Sequence, residues 1–355
     1  MVKYILPLLV LVLISACGGS DDDQGPTGLT VEFDRADMLT HWMEDIFIPK
    51  QKNVIAKLEQ LQLDLNALAT TSGGNQLRAA RTSFDNTYLA FQQMSPFILS
   101  YGEGLRLREL TNTYPTDVQQ IQANFGGSAN LDLPSNTDAQ GLPALDYLLF
   151  SEGPLNDEPI VVTNPAAVAY AQAIVTQLLK VHEAHLTVLE DNREDYIAND
   201  GNSATASIDR TVNDYLFHYE KFLRAGKVAI PAGVFSDDPL PNNAESLYQG
   251  KSKPYFFEAL KASKDFFNQD GLKEYMDAIE GSSVGDKLSP VLSRQFTAIE
   301  NRAAGLNDSF QEQVLEDNTE MLAVYDEMQK LTVLLKVDML QLMNINVDYV
   351  DADGD

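Results

Sequence analysis

Several groups of side chains in this chain have types and spacings suited to chemistry. In Gly141-Leu142-Pro143-Ala144-Leu145-Asp146-Tyr147-Leu148-Leu149-Phe150 a single carboxylate, Asp146, stands in an apolar run behind a Gly-x-Pro entry. A carboxylate accepts hydrogen bonds or binds a cation, whereas Pro143 can neither ligate a metal nor transfer a proton. Gly141, Pro143 and Asp146 are therefore the candidate ligand-binding positions, with the chemistry left to Asp146. His182 and His185 lie three apart on one helical face, flanked by Glu183 and Glu190. Two such imidazoles can share a divalent metal or iron when a third ligand such as Asp146 arrives from a neighbouring helix. His182-Glu183-Ala184-His185 is one residue short of the His-Glu-x-x-His zinc peptidase motif, so that mechanism does not carry over. The competing reading has both imidazoles satisfied by hydrogen bonds inside a helical core.

Asp317 and Asp338 interrupt an otherwise apolar helical seam. A carboxylate there must be paired, for which Arg224, Lys227 and Lys336 are available, or exposed where the stripe drifts around the helix. Gly281-Ser282-Ser283-Val284-Gly285 fits Gly-x-Ser-x-Gly but follows no strand, so a nucleophile elbow has no scaffold. The tail residues Asp348, Asp351, Asp353 and Asp355 match part of a calcium loop but lack the bidentate glutamate that completes one.

The elements that must position these groups are helices. Val54, Leu58, Leu61, Leu65 and Leu68 form one stripe, and Phe84, Tyr88, Phe91 and Ile98 begin another. Pro49 predicts a kink or a helix start, and Thr70 to Asn75 a turn between the two helices. Tyr114 to Gln140 reads as a long irregular stretch before Gly141, which then enters a helix with Pro143 in its first turn. Asp146 would lie near the positive end of that helix, where it either stabilises the terminus or meets a ligand. Val168, Ala171, Val175, Leu178, His182, His185 and Leu189 share one face of a further helix. Gly226 to Gly233, extended to Pro241, reads as a loop, and Phe310 to Leu342 as a last long helix. About four substantial helices fall in each half. The fold class is all-α, two packed helical bundles at residues 31–160 and 161–346, with an acidic tail at 347–355.

The segment from Gly141 to Asp146 resembles the Gly-x-His-x-x-Glu signature of the imelysin-like family, with Pro143 at the histidine position and Asp146 at the glutamate position. Ile46-Phe47-Ile48-Pro49 and Gln76 to Arg81 are similar to that family's first two helices, and the likeness extends over the mature chain. The resemblance implies two related, pseudo-symmetric four-helix bundles. It also implies either peptidase activity or a link to iron uptake and metal binding. Gly141 carries over unchanged, while the imidazole is lost at Pro143. This favours a non-catalytic binding protein over a metallopeptidase with a rearranged site or a structural, partner-binding lipoprotein.

Composition sets the surroundings. The net charge of −27 disfavours nucleic acid and anionic headgroups and favours a cation. Lys3, the apolar run Ile5 to Ile14 and Ile14-Ser15-Ala16-Cys17 read as a lipoprotein signal at 1–16, with lipidation of Cys17 and an acidic tether at 17–30. Cys17 is the sole cysteine, so lipidation leaves no thiol for a disulfide or a nucleophile. The expectation is a cell-envelope protein held to the membrane through Cys17, in the outer membrane where sorting follows the residue after the cysteine, and able to meet an envelope transport partner.

Overall fold

The computed structural model describes residues 33–71, 73–126, 129–151, 158–281 and 287–349. The signal and tether with Cys17, Ser282 to Gly285, and Asp351, Asp353 and Asp355 lie outside the described residues. Among the described residues every regular element is helical, as the apolar spacing predicts.

The first long helix, α1, comprises Arg35–His41, a wider-wound π segment Trp42–Phe47 and Ile48–Thr70. Asp34 caps its start by accepting the Asp37 N–H. Pro49 has no N–H to give and its ring crowds the carbonyl four residues back. The π turns lie immediately before it, so the helix passes through the proline instead of beginning there. Helix α2, Gly74–Met94, returns against α1, followed by the short α3, Leu107–Asn112. The stretch from Tyr114 to Gln140 is less irregular than its composition suggests, since it contains the helical turns Val118–Asn124 and Pro134–Ala139. It leads into α4, Gly141–Phe150, and then α5, Pro165–Asp191, whose start is capped by Asn164 accepting the Ala166 N–H.

Helix α6 joins Ser207–Phe217, a long π segment His218–Ala229 and Ile230–Ala232. The loop expected from Gly226 to Gly233 is thus helical up to Ala232. Pro231 sits in the first turn after the π segment, and Gly233 ends the helix at φ +78, where a Cβ would stand 2.7 Å from the Asp238 carbonyl oxygen. Then come α7, Ser252–Gln269, α8, Leu272–Glu280, and α9, Leu288–Ala303. Helix α10 runs Phe310–Val333, Leu334–Met339 and Leu340–Met343, with the middle part again π-wound.

Two hydrophobic cores result. One gathers Val54 to Leu68, Phe84 to Met94, Leu142 to Leu149 and Ala167 to Val181, the faces predicted for those helices. The other gathers Met38 to Ile48 with α6 to α10. The cores do not divide at 160/161, because α1 feeds both and α5 adds Leu189 to the second. Tyr255 belongs to the first core and its neighbour Phe256 to the second, so α7 marks their junction.

The seam reading of Asp317 and Asp338 is corrected in part. Both are exposed. The backbone at Asp317 leaves the helix (φ −155, ψ 98) and its side chain accepts the Thr319 N–H at 2.9 Å, capping the continuation. Asp338 lies in the π segment, whose wider turns shift the register of the stripe.

Candidate functional site

Helix α4 is held by its first residue. Gly141 has φ +79, and a Cβ there would lie 2.6 Å from the Thr111 carbonyl oxygen and 2.8 Å from that of Leu110. Only glycine permits both the left-handed backbone and this approach of the end of α3. Every residue from Gly141 to Leu149 is buried.

Asp146 is 1% exposed, and its carboxylate is occupied by backbone. Oδ2 accepts the Tyr248 N–H at 2.9 Å and Oδ1 the Gln249 N–H at 3.0 Å. Asp146 therefore neither caps its own helix nor faces an open cleft; it ties down the segment before α7. Burial pushes its pKa up to about 7, the two amides oppose that, and the Glu245 charge adds to it. The cavity where Pro143 and Asp146 face Tyr114 and Tyr248 measures 10 Å³, room for at most about one water.

The same segment delivers Glu245, 1% exposed, to the junction of the cores. Oε1 accepts from Gln92 Nε2 at 3.0 Å and Asn112 Nδ2 at 2.8 Å, and Oε2 pairs with Lys227. Tyr88 donates its hydroxyl to Asn112 Oδ1 at 2.6 Å, extending the network into α2. Burial pulls the Lys227 ammonium below its ordinary range, and Glu245 counters this. Nearby, Asp85 receives Lys251 Nζ and the Tyr255 hydroxyl, each at 2.8 Å.

His182 and His185 are buried and organised by Gln51. Gln51 Nε2 donates to the His182 carbonyl at 2.7 Å and to His182 Nδ1 at 3.0 Å, while Gln51 Oε1 accepts from His185 Nδ1 at 3.0 Å. The carbonyl fixes the amide orientation, so the tautomers follow from the network. His182 carries its hydrogen on Nε2 and donates to Thr111 Oγ1 at 3.1 Å; His185 carries its hydrogen on Nδ1. His185 Nε2 is buried with no hydrogen-bond partner among the described residues. Burial holds His182 down to about 3, aided by His185, and His185 down to about 4, aided by Arg108, so both rings are neutral.

The proposed metal set does not assemble. Among the described residues no three His, Cys, Asp or Glu side chains converge on one point. His182 spends both ring nitrogens on Gln51 and Thr111, and Asp146 spends its oxygens on amides. The residues at the signature positions do not fit a resident metal.

Sequence reasoning missed Gln51, His218, Glu220 and Glu245. Gln51 was legible as the polar residue on the stripe that continues with Val54 and Leu58. Glu220 had a signal in Arg224 four residues on. Both are fully buried, and Glu220 also receives the Tyr349 hydroxyl at 2.6 Å and Lys336 at 3.4 Å. Arg224, Lys227 and Lys336 are thus partners of Glu220 and Glu245, not of Asp317 and Asp338. Glu245 sits outside any long helix, where no periodicity points to it.

The family model described as Imelysin (Peptidase_M75) matches residues 48–337. An imelysin-like protein from Psychrobacter arcticum 273-4 superposes with a TM-score of 0.72 at 17% identity, covering 91% of this chain and 99% of that one. A protein named as an iron-regulated protein A precursor, from Parabacteroides distasonis ATCC 8503, gives 0.72 at 13% identity, covering 91% and 98%. At these identities the likeness is one of fold. No curated protein sequence matches the chain.

Proposed function

The chain belongs to the imelysin family, and on that premise we propose that it is a lipid-anchored binding protein of the cell envelope that serves iron or other metal acquisition without peptidase chemistry. The observation that carries this reading is Asp146: its carboxylate holds the Tyr248 and Gln249 amides in a buried site, with Pro143 at the position of the signature imidazole. A general base or metal ligand needs a free lone pair facing substrate. Here both oxygens are buried and each holds a backbone amide.

The iron connection is supported by the name of the Parabacteroides distasonis protein and by a net charge of −27, which draws cations to the surface. Attachment is supported by Ile14-Ser15-Ala16-Cys17 and the acidic tether behind it. The chain then acts at the membrane of the envelope, with the outer membrane as its place and a transport partner beside it.

The test incubates the full chain with unfolded protein substrates in the presence of zinc or iron and, in parallel, follows cellular iron after deletion and complementation. No cleavage, with iron content lowered by deletion and restored by the wild type but not by Cys17→Ser, is the expected result. Metal-dependent cleavage that vanishes in Asp146→Ala overturns the non-catalytic reading. Iron content indifferent to deletion overturns the acquisition role.

A further inference from the structure

Two Asp-Gly pairs lie among the described residues, Asp200-Gly201 and Asp270-Gly271. Such a pair is chemically weak, because glycine has no side chain to shield its amide nitrogen from the carboxyl carbon of the aspartate before it. Whether the two groups meet depends on the freedom of the peptide plane between them.

Asp200-Gly201 lies in the loop between the helical turn Arg193–Ala198 and α6. The bonds that fix this loop belong to its other residues. The Asn199 carbonyl accepts the Ser207 N–H at 3.0 Å, Asn199 Nδ2 donates to the Thr205 carbonyl at 2.7 Å, the Ala206 N–H donates to the Ser203 carbonyl at 2.8 Å, and Asn202 accepts from Arg35. The Asp200-Gly201 peptide stands among these ties and takes part in none of them. Gly201 is exposed, and a Cβ built on it would meet nothing within 4 Å, so no packed atom stands against the plane.

Asp270-Gly271 has the same two residues in the opposite surroundings. The Asp270 carbonyl accepts from Nε1 of the fully buried Trp42 at 2.6 Å, and its carboxylate lies 3.7 Å from His41 Nε2. Gly271 accepts the Tyr275 N–H at 2.9 Å and holds φ +97, with Met38 Cγ 3.1 Å from where a Cβ would stand. This plane cannot turn without breaking the Trp42 bond.

We infer that Asp200 is a modification site at which the backbone isomerises spontaneously to an isoaspartyl linkage. The Gly201 nitrogen attacks Cγ of Asp200, a C–N bond forms, and the carboxyl hydroxyl leaves with the amide hydrogen as one water, closing a succinimide ring. Water then adds back at either ring carbonyl. Opening at the former main-chain carbonyl routes the backbone through the side-chain carbon, so the loop gains one methylene and a carboxylate is left on Cα. The atoms balance, and the only co-reactant is water.

The experiment holds the full chain at pH 6 and 37 °C for several weeks and digests it with trypsin. The isoaspartyl and aspartyl forms of peptides 194–210 and 265–273 have equal mass and are told apart by electron-transfer fragmentation. Isoaspartate at 200 is expected to form at least about tenfold faster than at 270, the worth of the buried hydrogen bond that the second pair must break. This contrast runs against the carboxyl chemistry, since burial raises the Asp270 pKa and the neutral acid is the reactive form. Gly201→Ala, at an open position without a left-handed backbone, should fold normally and slow the reaction at 200 alone. Unfolding in guanidinium should remove the contrast between the two sites. Equal rates in the folded chain, no isoaspartate at 200, a rate there indifferent to Gly201→Ala, or a contrast that persists on unfolding overturns the assignment. None of these outcomes depends on iron content or proteolysis, so this site and the proposed function stand or fall separately.

Discussion

The Asp146 carboxylate meets the backbone N–H of Tyr248 at 2.9 Å across 102 positions of sequence. With the Gln249 N–H on the other oxygen, the bond fastens α4 to the segment that carries Glu245 into the junction of the two cores. Asp146→Ala strands two amides, and Asp146→Asn turns an amide donor toward one of them. Either change should cost about 1–3 kcal/mol of unfolding free energy, read from urea midpoints at fixed slope. Loss of metal binding without loss of stability would instead restore Asp146 as a ligand.

The same carboxylate makes a pH prediction whose sign is unusual for an acid. Its folded pKa of about 7 lies above the ordinary 3.8. Between those values the folded chain holds the extra proton, so this group's contribution to stability falls as pH rises through the window and is flat on either side. The free-energy difference between wild type and Asp146→Asn, measured from pH 4 to 8, should change by up to about 1.4 kcal/mol per pH unit within that range. A constant difference would refute the raised pKa.

How much of this was legible differs by element. The stripe from Val54 to Leu68 and the face from Val168 to Leu189 are buried as their spacing predicts, because each helix buries one face and three/four periodicity records which. The pairing of Asp146 with Tyr248 leaves no such record, since the amides of an irregular segment look alike in any sequence. Asp317 was misplaced because periodicity assumes an unbroken helix, and the backbone there breaks. Gly226 to Ala232 was misread because glycine and proline punctuate α-helices, whereas π turns accommodate them.

Gly141 should prove indispensable for packing before any question of ligands arises. In Gly141→Ala the new methyl group meets two backbone carbonyls within 2.8 Å at a positive φ, and neither atom can swing aside. Left-handed strain alone is worth about 1–2 kcal/mol, so the variant should lose at least about 2 kcal/mol and melt at a lower temperature. A variant as stable as wild type would leave a functional reason for this glycine.

Gln51 sets the protonation of the two histidines, and replacing it tests that arrangement. A glutamate in its place offers His182 Nδ1 an acceptor where it now meets a donor, so that nitrogen must take a proton. Gln51→Glu should therefore raise the histidine pKa values from about 3 and about 4 toward or beyond the ordinary range. The His182 and His185 ¹H–¹³C shifts should titrate between pH 5 and 8 in the variant, where in wild type they stay flat. In wild type the depressed values favour folding above the unfolded histidine pKa of about 6.5, and this is lost as pH falls toward 4. The variant should lose less stability over that interval, and unchanged titration would disprove the bridging role.

The Lys227–Glu245 pair is costly to break on one side only. Both side chains are buried, with 3% and 1% exposure, and Glu245 keeps two neutral donors when the ammonium is removed. Lys227→Met leaves a carboxylate without a counter-charge and should cost about 3–5 kcal/mol. Glu245→Gln leaves the ammonium uncompensated, but a buried lysine can shed its proton, so that loss should be smaller. With both replaced, neither position leaves an uncompensated charge. The double variant should then be more stable than Lys227→Met alone, giving a coupling of at least about 1 kcal/mol in a double-mutant cycle. Additive losses would mean that the two charges do not interact across the junction, and that Gln92 and Asn112 alone hold Glu245 in place.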